Sequence, residues 1–304
     1  MVRAGNAIKD TRGDKIFNWA VGLFLAAITI IVLYPLYFTV IASFSDPVYV
    51  NNGRVWLLPR GVVFDGYDIL FKDNRIWNGY RNTLFYTLAG TSLNLLVTLP
   101  AAYSLSRKDF MPRKAIMLIF VFTMYFNSGM IPHYILINNL GLMNTVWAMI
   151  LPKATAVWNI ILARTFFASM IPDEMREAAV IDGCSNTRLF VQIVLPLSKA
   201  IIAVMALFFA LGHWNSFYDA LLYLRDKNIQ PLQIYLREVL ISQQIGAMLG
   251  TIGGGAPDLM AQMQRRLDLM KYSIIIVANL PMLILYPFIQ KYFTKGIMLG
   301  SLKG

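Results

Sequence analysis

The sequence predicts an all-α protein, a polytopic membrane bundle of about six transmembrane helices. Three observations carry this. Hydrophobic residues make up 57% of the chain and charged residues only 14%, against about 25% charged in an ordinary soluble domain. Mean hydropathy is +0.56. The apolar residues also fall in long runs, and a run of roughly 20 crosses the hydrocarbon core at about 1.5 Å rise per residue.

Runs of that length lie at 17–43, 84–104, 115–137, 146–167, 200–224 and 274–293. The first two read as clean. The third, fourth and sixth are interrupted by Pro132, Pro152, Pro281 and Pro287, which membrane helices tolerate where neighbours satisfy the freed carbonyls. The first run is too long for a signal-peptide core and has no clear small-residue cleavage site, so it reads as a retained helix. Residues 1–15 read as a polar tail, 44–83 as an outer segment, 84–293 as the core bundle and 294–304 as a second tail. Within the core, 168–199 is an inner loop and 225–273 a partly helical outer segment.

The net charge of +11 would suggest nucleic acid on a soluble protein. Here the basic residues cluster between the apolar runs: Arg3, Lys9, Arg12 and Lys15; Arg107, Lys108, Arg113 and Lys114; Lys291, Lys295 and Lys303. The positive-inside rule makes these segments cytoplasmic, so both termini are expected inside and no nucleic-acid partner is implied. Lys153 and Arg164 lie near the ends of the fourth run, where snorkelling to an interface is the simple expectation.

Several chemistries are missing. There is no G-x-x-x-x-G-K-[ST] loop to bind ATP, and Gly250 to Gly255 is not a phosphate loop because no Gly-Lys-Ser/Thr follows it. His133 and His213 have no metal-ligand spacing. No nucleophile motif such as G-x-S-x-G occurs. Cys184 is the single cysteine, which excludes an intrachain disulfide. Asp219 is the only carboxylate in the runs, which counts against an ion-coupled transporter. A membrane-embedded enzyme would need a catalytic constellation, and the sequence offers none.

The loop 168–199 is the unusual segment. Ser169 or Pro172-Asp173 can start a short helix, acids at its first turn suit the dipole, and Gly183 can end it in a left-handed turn. A second short helix is expected from about Thr187 to Leu195, broken by Pro196. Two short helices with a sharp bend would then lie flat at the inner face. Ala178 and Ala179 would let another surface approach closely, and Glu177 would hold a basic partner or cap a helix.

Glu177, Ala178 and Ala179, then Gly183, then Ile193, Val194, Leu195 and Pro196 are similar, at this spacing, to the signature of ABC-importer permease subunits. His213 to Phe217 resembles the Trp-Asn motif of sugar permeases. The segment 292–304, with Gly296, Gly300 and Lys303, resembles the tail of the maltose-permease G-type family. Ser43 to Pro47, Thr123-Met124 and Pro231 to Gln233 resemble the branch for complex or acidic oligosaccharides, alginate-type permeases among them.

The resemblance implies a type I ABC-importer permease-like bundle in a bacterial plasma membrane. It implies a second, related permease subunit, two ATPase subunits that bind the ATP and Mg, an extracellular solute-binding protein and an oligosaccharide substrate. No cofactor is expected in this chain. Glu177, Ala178, Ala179, Asp182, Gly183, Ile193, Leu195 and Pro196 would form the coupling element, and the tail an ordered strand or turn between the ATPases. Tyr125, Asn127, Trp158, Asn159, Trp214 and Asn215 are pathway candidates, since aromatics stack on sugars and amides bond hydroxyls. Asn94 and Asn279 read rather as interhelical hydrogen-bond formers. Two rivals remain: an ABC permease for a non-sugar solute, and a secondary transporter, which needs inverted repeats and an ion site.

Overall fold

The computed structural model describes residues 11–126, 128–252 and 257–300. Its principal helices are α1 (Arg12–Ser43), α2 (Asn74–Ser106), α3 (Arg113–Tyr125), α4 (Met130–Asn139), α5 (Val157–Met170), α6 (Asp173–Ile181), α7 (Lys199–Trp214), α8 (Phe217–Tyr223), α9 (Leu232–Ile252) and α10 (Pro257–Gly300). Among the described residues no strand occurs; Ser45 and Val62 make an isolated bridge. The all-α expectation holds. Two compact units divide the chain: Met1–Leu70 with Ser242–Ile276, and Phe71–Ile241 with Val277–Gly304.

In the first unit, Thr11 caps α1. Its hydroxyl accepts from the Asp14 backbone N–H, and the Asp14 carboxylate accepts from the Thr11 N–H at 2.9 Å. This capping box starts the helix at Arg12, so residues 12–15 are helical where the sequence suggested a tail. Only Ile41, Ala42 and Ser43 of α1 are buried. A helix apolar on every side and unburied by its own chain suits lipid or a partner subunit. Its last turn packs with Val50, Val55, Phe38 and Tyr272.

In the second unit, α2 is the central rod. Asp73 caps it, accepting from the Arg75 N–H at 2.9 Å. Its buried stripe is Gly79, Thr83, Thr87, Gly90, Asn94, Thr98 and Ala102, spaced three or four apart. Leu84, Phe85, Leu88 and Leu96 are exposed. This inverts the soluble pattern: lipid is as apolar as leucine, so small residues take the helix contacts and large ones face out. α2 packs chiefly against α5 and α7. The core between them holds Tyr103, Ile160, Phe167, Met205 and Phe209, and Ala179 and Leu189 of the following loop join it.

Several expectations need correction. The second run is longer than its apolar part: residues 74–83, expected in an outer segment, are the first turns of α2. Pro35 and Pro100 lie inside α1 and α2, so neither helix is free of proline. The fourth run is broken, with helix at Trp147–Ile150, a tight turn at Leu151–Lys153, and α5 starting only at Val157. The fifth run stops at Trp214 and resumes as α8, because Asn215 and Ser216 turn the chain. Among the described residues three helices are long and apolar enough to cross a membrane, and bent pairs raise the number to 5. α5, at 14 residues, is apolar but shorter. The tail is not a strand or turn over 294–300: α10 continues to Gly300. Adding a residue to an existing helix is cheap compared with nucleating one, and that outweighs the glycines. Residues 301–304, residues 1–10 and the glycines at 253–255 lie outside the described residues.

Candidate functional site: a hinged helix pair and a buried polar network

Pro172 stands at the start of α6 with extended backbone, and Asp173 and Glu174 occupy its first turn. The helix ends in a Schellman motif. The Gly183 N–H donates to Val180 at 3.0 Å and the Cys184 N–H to Ala179 at 2.9 Å, with Gly183 left-handed at φ +72. The Ser185 hydroxyl then caps Asn186–Leu189 by accepting from the Arg188 N–H. The chain stays helical through Pro196 to Leu197, as a π-helical turn over Phe190–Val194 and then Leu195–Leu197. The break falls at Ser198, two residues later than expected, because the chain passes through a π-helical turn before Pro196 and stays helical beyond it to Leu197. There the axis turns by 83° into α7.

The two short helices are amphipathic across their thickness. Ala179, Leu189 and Val194 are buried in the bundle core. Glu177, Ala178, Asp182 and Gly183 are exposed, as are Val180 at 59% and Ile181 at 86%. Ala179 therefore faces inward, not toward a second surface, while Val180 and Ile181 extend the outer face. Ile193 and Leu195 are half-buried and Pro196 is exposed.

The pair is held to the turn after α2. The Asp109 carboxylate takes Arg107 Nη2 at 2.6 Å and Arg176 Nη1 at 2.6 Å. Arg107 Nη1 donates to the Asn186 Oδ1 at 2.8 Å, and Lys108 pairs with Asp173 at 2.7 Å. Hydrogen bonding from Arg107 holds the Asp109 carboxyl down at about 2, so it stays charged at neutral pH. A lowered carboxyl pKa adds stability above its unfolded value near 4 and loses it only as pH falls toward 2. The ring of Tyr103 stacks on Phe190 with centroids 5.2 Å apart. A cavity of about 260 Å³ opens beside this junction, lined by Ser106, Lys108, Ser169 and Glu174 among others. Sequence reasoning missed these ion pairs; the signal was Asp109, a lone acid among Arg107, Lys108, Arg113 and Lys114.

Further along α2 lies a buried polar network. Asn94 Nδ2 donates to the Lys153 carbonyl, and Asn94 Oδ1 lies 2.7 Å from His213 Nε2. Because that oxygen can only accept, Nε2 carries the imidazole proton. His213 sits directly over Gly90, where a Cβ would collide with its ring. Asn94 thus forms the interhelical hydrogen bond expected of it. Lys153 does not snorkel: its ammonium pairs with Asp219 on α8. Arg164 donates to the Leu105 carbonyl at 3.0 Å.

The pathway candidates separate. Tyr125 and Trp158 are exposed, at 74% and 63%, and so is Asn215, whose amide donates to Leu211 at 3.0 Å. Trp214 is buried and its indole N–H donates to the Ala278 carbonyl at 3.1 Å. Asn159 is buried as well. Within this chain those two are packing residues. Asn279 is exposed, and Asn127 lies outside the described residues.

Comparison with known proteins places this architecture. The chain is 36% identical over 292 residues to the polygalacturonan/rhamnogalacturonan transport system permease protein YtcP of Bacillus subtilis (strain 168), covering 96% of this chain and 99% of that one. It is 35% identical over 300 residues to protein LplC of the same organism, covering 98% and 99%. The chain belongs to the permease family of carbohydrate ABC transporters. A solved structure points the same way: a crystal structure of a bacterial ABC transporter involved in the import of the acidic polysaccharide alginate contains a chain that superposes on the permease with TM-score 0.82 and 31% identity, covering 94% of the permease and all of that chain. No protein-family model matches the permease. The sequence resemblance to ABC permeases of the sugar branch is therefore correct.

Proposed function

We propose that the permease is one of two related membrane subunits of a bacterial ATP-driven importer of acidic oligosaccharides. It pairs with a second permease subunit, two ATPase subunits and an extracellular solute-binding protein. ATP and Mg belong to the ATPases, and the permease contributes no catalytic group. The hinged helix pair carries this reading. Glu177, Ala178, Val180 and Ile181 face outward on α6, beside a left-handed Gly183. An exposed apolar face flanked by charge on a rigid, bent element suits docking into a groove on another protein. When the ATPases close, they displace this element, and the helices rock between inward- and outward-facing arrangements.

Acidic sugar is favoured because the relatives include a polygalacturonan/rhamnogalacturonan transport permease and a transporter involved in the import of the acidic polysaccharide alginate. Tyr125, Trp158 and Asn215 offer the pathway aromatic faces and an amide. The experiment is uptake by cells carrying the whole transporter. Labelled galacturonate oligomers enter at least tenfold faster than neutral glucose oligomers of the same length. Equal rates, or faster entry of the neutral sugar, reject the acidic substrate class.

The same reading sets the topology, with both termini and the α6 hinge in the cytoplasm of a plasma-membrane protein. Cys184, half-buried beside Gly183, then reacts with a membrane-impermeant maleimide only after cells are opened. Labelling of Cys184 in intact cells reverses the orientation.

A further inference from the structure

The α2 helix is fastened at both ends to segments remote from it in the chain. At its carboxy end, Asp109 joins Arg107 to Arg176 of α6, and Arg107 reaches Asn186 of the second short helix. The side chains of Arg107 and Arg176 are only 20% and 19% exposed while that of Asp109 is 41% exposed, so the guanidinium groups are shielded more than those of a surface pair although the carboxylate keeps one side open to water. At its amino end, α2 grips the segment before α9. Asn82 Nδ2 donates to the Asn228 carbonyl at 2.7 Å and to Gln230 at 3.0 Å. The Tyr86 hydroxyl donates to the Ile229 carbonyl at 2.7 Å. The Leu232 N–H donates to the Thr83 hydroxyl at 2.9 Å. Gly79 allows the contact: a Cβ there would lie 2.9 Å from the Leu232 Cα.

Between these ends stands one continuous helix of 33 residues, with Pro100 inside it, about 50 Å long. An α-helix is stiff along its axis, so a displacement entering at one end leaves at the other. Directional polar bonds at each end fix what moves with it.

We propose that α2 is the transmission rod of the permease, and that Asp109 is the positioning residue that couples it to α6. The rod carries displacement of α6 to segment 226–232 at the far end. This rests on the reading of α6 as the element the ATPases displace. Asp109 is critical because its one carboxylate bridges two guanidinium groups and offsets their mutual repulsion. Without its charge Arg107 and Arg176 repel each other, and the junction opens although the helices remain folded. Lys108–Asp173, an exposed pair, adds little.

The test uses the assembled transporter in lipid nanodiscs, with Cys184→Ser removing the native thiol. Asn228→Cys, at an exposed position whose side chain makes none of the latch bonds, reports on the far end. Its labelling rate by a maleimide is measured without nucleotide and after trapping with ATP and vanadate. In the parent, trapping changes that rate at least threefold. Asp109→Asn abolishes the change while the complex still traps nucleotide, and Asp109→Glu restores it. Should Asp109→Asn prevent assembly, Arg176→Gln breaks the α6 limb alone and abolishes the change in the same way. A full response in Asp109→Asn or Arg176→Gln, or no response in the parent, overturns the proposal. Gly183→Leu separates the two levels: a full response there, with Asp109→Asn still silent, sets aside docking at α6 but leaves the rod in place.

Discussion

Gly183→Leu yields a permease that inserts and assembles but transports at a small fraction of the normal rate. Gly183 is left-handed at φ +72, and a Cβ there meets nothing within 4 Å. The substitution is therefore resisted by the backbone alone. Moving a branched residue into the left-handed region costs roughly 1–2 kcal/mol, and about 1.4 kcal/mol is a tenfold shift in an equilibrium. The hinge relieves that strain by giving up the bonds from Gly183 and Cys184 to the end of α6. Val180 and Ile181 then lose the position in which they are displayed. Substrate-stimulated ATP hydrolysis of the reconstituted transporter falls about tenfold, with unstimulated hydrolysis retained. Gly183→Asn, which tolerates the left-handed region, keeps most of the stimulation. Equal stimulation in Gly183→Leu and the parent would falsify the hinge's role in coupling.

The parts of the molecule legible in the sequence were those encoded locally. Gly183 ends a helix because of its own backbone freedom, and Pro172 starts one through its fixed φ, so the bend between α6 and the next short helix could be read from spacing alone. The apolar runs were legible for the same reason, as each is a property of about twenty consecutive residues. What escaped were choices made by partners far away in the chain. Lys153 looks like a snorkelling residue until α8 brings Asp219 to it. Trp214 and Asn215 are neighbours in one motif, yet one is buried against Ala278 and the other exposed, a split that periodicity does not decide at a helix end. Ala179 faces the core because α6 rests on Tyr103 and Phe167, which no count of small residues reveals. The run 84–104 hid the ten residues before it because Asn82, Arg81 and Asn78 are polar, although polar residues begin a membrane helix freely where it leaves the lipid.

Gly90→Ala destabilises the permease although it adds a single methyl group to a helix. Glycine in mid-helix costs about 1 kcal/mol relative to alanine, so on propensity alone this change would stabilise α2. The structure reverses the sign. The new Cβ would occupy the position of the His213 ring, which is buried and carries the network to Asn94 and Lys153. Overpacking costs about 1–3 kcal/mol, and pulling Nε2 away from Asn94 strands a buried donor and acceptor for about 1–3 kcal/mol more. The net loss is about 3 kcal/mol. It is read as a thermal unfolding midpoint several degrees lower for the detergent-purified subunit, followed by size-exclusion chromatography of heated samples. The cause can be isolated with a second substitution. His213→Ala alone destabilises by emptying the site, but with Gly90→Ala it removes the collision, so the double variant unfolds well above the sum of the single losses. Additive losses, or a Gly90→Ala midpoint within a degree of the parent, would mean that α2 and α7 have room to separate at this point and that the close approach of His213 is not what Gly90 is for.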